Sequence, residues 1–171
     1  MFSDEVHSSL APIITHTWAI VREAPILKVT GSRKGITVIG GMTEDGRFVG
    51  QQTEDSMNRF GFIEFLKCGL RKLSDEKVVL FVDNHQMHKT PEVKAFIAEN
   101  SQRLVVEYLP TYAPECNPIE WLWAWVKGKL AMRVLGSIAA LKDFWGLALA
   151  AAQEFGLIEI FWKNSAIAGS N

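Results

Sequence analysis

The chain has 171 residues, 48% of them hydrophobic and 22% charged, which fits one globular domain with a full hydrophobic core and excludes a disordered or low-complexity chain. A formal net charge of −1 excludes the broad basic surface of a protein that grips nucleic acid by its overall charge, so any such affinity must come from local patches. The two cysteines, Cys68 and Cys116, stand outside any paired metal-ligand spacing, which argues against a disulfide framework or a zinc site built on thiolates.

In chain order, Met1-Phe2-Ser3 before Asp4 reads as the end of a clipped first strand. Ile36 to Met42 is β-rich, Thr43-Glu44-Asp45-Gly46 supplies an Asp-Gly turn, and Arg47 to Gln52 returns, which together predict a hairpin. Asp55 or Ser56 can cap a helix running to about Leu73, with Phe60, Ile63, Phe65, Leu66 and Leu70 on its apolar face. Lys77 to Val82 reads as a strand buried on both faces, and Thr90-Pro91-Glu92 starts a helix with proline at its first position. Leu104 to Leu109 reads as another buried strand. Helices over about 118–133 and 137–155 and a short tail complete the chain. The apolar stretch from Leu135 to Phe155 is broken by Lys142, Asp143, Gln153 and Glu154, so it reads as a core helix and not a membrane span. Asp4, Glu5 and His7 stand where a signal peptide would need a basic and then an apolar region. The expectation is a cytoplasmic protein with no membrane partner.

A hairpin followed by alternating helices and strands implies a mixed sheet covered by helices, with ligands gathering at strand ends. Asp4 and Asp83 are expected at the C-terminal ends of neighbouring strands, and Glu120 in the first turn of its helix after Asn117 and Pro118. Three carboxylates placed where ordered elements meet loops suit a two-metal phosphodiester enzyme, because magnesium takes hard oxygen ligands and keeps several waters. Each has a plainer reading. Asp83 could cap the following helix, Asp4 could be a solvated acid, and Glu120 could answer the helix dipole. Trp123, Ala124 and Lys127 share a helix face with Glu120, so Lys127 could hold a phosphate, although a solvated lysine is the commoner outcome. Most of the tryptophans should be core. His85 and His88 with Asp83 make a weak zinc set, and His88 better suits orienting a carboxylate or phosphate. Glu5 should point to the strand face opposite Asp4. Gly31-Ser32-Arg33-Lys34-Gly35 reads as a basic loop.

Taken together, Phe2-Ser3-Asp4-Glu5, Val82-Asp83-Asn84 with His88, Leu109-Pro110-Thr111-Tyr112-Ala113-Pro114 and Asn117-Pro118-Ile119-Glu120 with Trp123 and Lys127 form a pattern. It resembles the catalytic domain of DDE transposases of the mariner-like and related bacterial insertion-sequence group. The resemblance runs from Asp4 to about Arg133, and Trp18 also fits it. Thr111, Ala113, His85 and Cys116 depart from the usual pattern without touching the carboxylates.

The resemblance implies an α/β ribonuclease H-like mixed sheet flanked by helices, one domain over residues 1–171. It implies Asp4, Asp83 and Glu120 as catalytic and metal-binding residues for Mg2+ or Mn2+, two ions in number. Asn84, His88, Asn117, Trp123 and Lys127 would touch DNA or support the ligands. The implied activity is cleavage of DNA at transposon ends and strand transfer into target DNA. Its partners would be terminal inverted repeats and target DNA, with a homo-dimer as the active form and a nucleoid-associated location. No helix-turn-helix region precedes Asp4, so a separate upstream DNA-binding polypeptide is the expected complement. Two alternatives stand beside this reading: a hydrolytic ribonuclease H-like nuclease, and an incompetent fragment of a split or decayed transposase acting as a DNA-binding or regulatory subunit.

Overall fold

A computed structural model describes residues 1–16, 18, 19, 21–23, 26–28, 32–74, 77–110 and 114–165. Among them the strands are β1 (Phe2–Ser9), β2 (Gly35–Met42), β3 (Phe48–Thr53), β4 (Val78–Val82) and β5 (Leu104–Tyr108). The helices are α1 (Arg59–Lys72), α2 (Pro91–Glu99), α3 (Ile119–Leu130), α4 (Ile138–Glu154) and α5 (Leu157–Lys163), with short 3-10 turns at Gln86–Lys89 and Pro114–Cys116. The strands form one sheet in the order β3-β2-β1-β4-β5. β1 to β3 are antiparallel neighbours, while β4 lies parallel to both β1 and β5.

The hairpin forms as its turn chemistry dictates. Gly46 takes φ 84°, and Thr43 closes the turn by accepting the Arg47 amide at 3.0 Å on its hydroxyl. Alternation along the strands then sends Phe2, Val6, Ile36, Val38 and Met42 to one face, where α3, α4 and α5 pack around the buried rings of Trp123 and Trp145. The other face carries Ile39, Val49, Leu80 and Val82 and packs against Phe62, Phe65 and Leu66 of α1 and Val93 of α2. Each such buried side chain contributes about 2 kcal/mol of hydrophobic stabilisation.

Several boundaries differ from the sequence expectation. α1 is capped by Asn58, whose side chain accepts from Phe60 and Gly61, and not by Asp55 or Ser56. Thr90 and Pro91 start α2 as expected, and Ser137 caps α4 through the Ala140 amide. β4 is not buried on both faces, because Val79 borders a groove between its strand and the β2–β3 turn. β5 is a half-exposed edge strand with β4 as its sheet neighbour, so burial falls off toward Tyr108. The tail contains α5, which turns away from α4 at Gly156 (φ 67°) and lays Trp162 edge-on to Phe2. No single helix among the described residues is long and apolar enough to cross a membrane.

Candidate active site

The site begins where β1 and β4 run side by side. Phe2 lies opposite Phe81, their rings stacked 4.7 Å apart, and Asp4 and Asp83 each follow two residues later. The parallel ladder stops there, yet β1 continues to Ser9 along β2. Asp4 is therefore inside a strand, paired with Gly40, and not at a strand end as expected. On the β4 side it stands at an open edge all the same, since β4 ends at Val82.

α3 brings the third carboxylate. Asn117 has the sequence context of a helix cap, but Pro118 occupies the cap position and there is no side-chain cap bond. The buried Asn117 side chain instead donates to the Ser3 carbonyl at 3.3 Å, fastening the start of α3 to the residue before Asp4. The Asn117 backbone carbonyl accepts the Glu120 amide at 3.1 Å. Glu120 thus sits in the first turn of α3, and one turn on Trp123 donates its indole N–H to Asp4 Oδ2 at 3.1 Å. Burial and then the charge of Glu120 push the Asp4 carboxyl up to about 7, against hydrogen bonds from the Glu5 backbone and the Trp123 indole.

Asp83 is held from the opposite layer. Its Oδ1 accepts the His85 amide at 3.2 Å and lies 3.0 Å from His88 Nδ1. The His88 ring is 2% exposed, packs 4.3 Å from the Phe62 ring, and turns Nε2 toward Glu5 Oε1 at 3.4 Å. Tyr108 fixes the backbone of this turn by donating its hydroxyl to the His88 carbonyl at 3.2 Å. Burial works against a charge on His88, but the bonds to Asp83 and Glu5 outweigh it and push the imidazole up to about 9. The same bond to His88 holds Asp83 below its ordinary carboxylate value. A cationic His88 donates from both nitrogens, which fits an acceptor on each side.

The remaining predicted residues fall around this centre. Asn84 accepts from Lys89 Nζ, and that ammonium also lies 4.8 Å from the centre of the Tyr108 ring. Lys127 is half-buried on α3, two turns and about 10 Å along the axis from Glu120. Trp123 is 1% exposed, so it is not open for base stacking. Trp18 is fully exposed. His85 accepts the Met87 amide at 3.3 Å within its own turn, so it and His88 do not converge on a zinc site. Gly31, Thr111, Tyr112 and Ala113 lie outside the described residues. Among the described residues no three His, Cys, Asp or Glu side chains stand in metal-binding geometry, and Asp83 is bonded to His88 instead. Glu5 and Gly40 were missed as parts of the site. A glycine pair inside a β-rich run was the available signal for Gly40, whereas nothing local marked Glu5 as a partner of His88.

Residues 1–142 match the family described as DDE superfamily endonuclease, a span that includes Asp4, Asp83 and Glu120. The chain belongs to that family. A curated relative of this DDE endonuclease domain, the insertion element IS630 uncharacterized 39 kDa protein of Shigella sonnei, is 27% identical over 125 residues. That match covers 71% of this chain and 36% of the relative, so the chain spans about a third of the relative's length. Among solved structures, the Mos1 mariner paired-end complex with Mn superposes with a TM-score of 0.72 at 17% identity, covering 99% of this chain and 55% of that one. The catalytic domain of Mos1 mariner transposase gives 0.62 at 15% identity over 95% of this chain and 72% of that one. At such identities the likeness concerns the fold, which is the ribonuclease H-like arrangement of a mixed five-stranded sheet between helices.

The donor set of this DDE endonuclease domain suits a hard divalent cation. Burial, and then the charge of the nearby Glu120, raise the proton affinity of Asp4, and a bound cation would offset both by favouring the ionised carboxylates.

Proposed function

We propose that this domain is the catalytic part of a transposase that cuts DNA at transposon ends and joins the freed end to target DNA. The observation that carries the reading is that α3 brings Trp123 into hydrogen-bond contact with Asp4 and Glu120 near enough for its charge to raise the Asp4 carboxyl, beside the strand end from which Asp83 departs. Asp4 and Glu120 would hold one divalent ion, and Asp83 with Asp4 a second. Mg2+ or Mn2+ bound there would supply Lewis-acid activation of the nucleophile and stabilisation of the leaving oxygen. The chain's own contribution is positional. Asn117 ties α3 to β1 so that Glu120 stays near Asp4, and His88 keeps Asp83 ionised and ready for exchange. Asn84 and Lys127 are candidates for DNA phosphate contacts near this centre. Support for DNA ends as the substrate comes from the Mos1 complexes, which hold transposon-end DNA, and from Mos1 structures with Mn and with Mg. Those paired-end assemblies also support two copies acting together. End recognition would come from a further DNA-binding region, on this polypeptide or on a separate upstream one, and the working location would be the nucleoid.

The test is a labelled transposon-end duplex incubated with the protein, its DNA-binding partner and Mn2+. Cleavage followed by joining to a second duplex is expected, with Asp83→Ala and Glu120→Ala abolishing both while remaining folded. Cleavage without joining would indicate the hydrolytic nuclease. Undiminished cleavage by either variant would remove the assignment.

A further inference from the structure

Asp4, Gly40 and Gly50 form one row across β1, β2 and β3, because Asp4 pairs with Gly40 and Gly40 with Gly50. Residues directly opposite each other point to the same face, so two missing side chains leave a flat strip of backbone beside the Asp4 carboxylate. Two rings occupy it. A Cβ on Gly40 would lie 2.7 Å from Trp123 Cη2 and 2.5 Å from Phe48 Cζ, and one on Gly50 would lie 2.5 Å from Phe48 Cε1. The Phe48 and Trp123 rings meet edge to face, 6.2 Å apart, and this fixes the indole plane with its N–H toward Asp4 Oδ2 at 3.1 Å.

We propose that Trp123 is a positioning residue for the Asp4 carboxylate, seated by the Gly40–Gly50 strip, and that its indole N–H sets the direction in which Asp4 presents its other oxygen to a divalent ion. The Asp4 carboxyl turns about a broad, two-fold side-chain torsion, and besides the Glu5 backbone the Trp123 indole is the hydrogen bond that holds it. The indole takes Oδ2, and Asp4 lies beside the end of β4. Core packing alone does not demand this bond. Trp145, 5.9 Å from Trp123 in the same core, keeps its buried indole nitrogen without a hydrogen-bond partner. Nor does β2 need glycine at position 40 for its backbone, since Gly40 is not among the positive-φ glycines. The space is what the glycine supplies. Hydrogen bonds that orient a ligating side chain typically contribute 10- to 100-fold to metal affinity.

The inference rests on Asp4 being a metal ligand, and the experiment separates the two. Mn2+ binding is measured by calorimetry on the whole chain and on Trp123→Phe, Gly40→Ala and Asp4→Asn, each with its thermal melt. Trp123→Phe keeps an aromatic ring and loses the donor, and about 10- to 100-fold weaker binding by a folded variant is expected. Gly40→Ala should weaken binding similarly by moving the ring, with both polar groups intact, and Asp4→Asn should abolish it. Wild-type affinity in Trp123→Phe together with loss in Asp4→Asn overturns the positioning role and leaves Asp4 as a ligand. Wild-type affinity in Asp4→Asn overturns both. If Trp123→Phe does not fold, the assigned Trp123 indole proton of the wild-type chain is followed by NMR. It should shift on adding Mg2+ and in Asp4→Asn, and a resonance unmoved in both overturns the proposal.

Discussion

The two sides of the site treat their carboxylates in opposite ways. On the α3 side Asp4 is buried, lies near Glu120, and is pushed up to about 7 with only an indole N–H as its side-chain partner. On the α1 side Asp83 is half-exposed, bonded to a buried cationic histidine, and held below the ordinary value. One side is a pair of anions wanting a cation, and the other already has one. The lesson is that neither half is a finished metal site. In the proposed reading the Asp4–Glu120 half would gain most from a divalent ion, and Asp83 would exchange His88 for it.

The comparison can be broken from either side. His88→Gln should have the largest effect on the fold, about 3 kcal/mol of lost stability in urea unfolding, because it removes a buried cation and leaves Glu5 facing an apolar wall. A loss below half a kcal/mol would mean that His88 is not charged as described. On the other side, Asp4→Asn should stabilise the chelator-treated protein by roughly 1 kcal/mol at pH 8 while abolishing metal binding, since it removes a charge disfavoured by burial and by Glu120. Destabilisation there would show that burial and Glu120 do not disfavour the Asp4 charge. The same contrast sharpens with pH. The folded Asp4 retains its proton up to about 7 and the unfolded one only to 3.8, so the wild-type stability should fall relative to Asp4→Asn as pH rises through that window. Equal pH profiles in chelator would remove the raised value. As the smallest effect, Ser137→Ala should cost about 0.5–1 kcal/mol by uncapping α4 and leave Mn2+ affinity unchanged, a control for remote destabilisation.

Much of the architecture was legible because local signals agreed with it. The Asp45-Gly46 turn, the Pro91 helix start and the two apolar runs at β4 and β5 set the element order, and that order leads to the mixed sheet. Contacts between elements were less accessible. β1 extends to Ser9 through pairing with β2, and its polar residues His7, Ser8 and Ser9 carry no strand pattern of their own. Asn117 has the sequence context of a helix cap, yet Ser3 lies near enough to take its side chain. α5 follows a helix break at Gly156 that reads in the sequence as the end of regular structure. Within the site, strand order and helix start bring Asp4 near Glu120 and Asp83 to the end of the neighbouring strand, but Asp83 is bonded to His88 and the three carboxylates do not converge. The Glu5–His88 bridge and the Gly40–Gly50 strip arise only when the strands are in register.

The most direct measurement is calorimetric titration of Mn2+ into the folded wild-type chain and into Glu120→Gln. Binding by the wild type that disappears in the variant is the predicted result, because in the proposed reading Asp4 and Glu120 together hold the cation. Equal binding by both would contradict it.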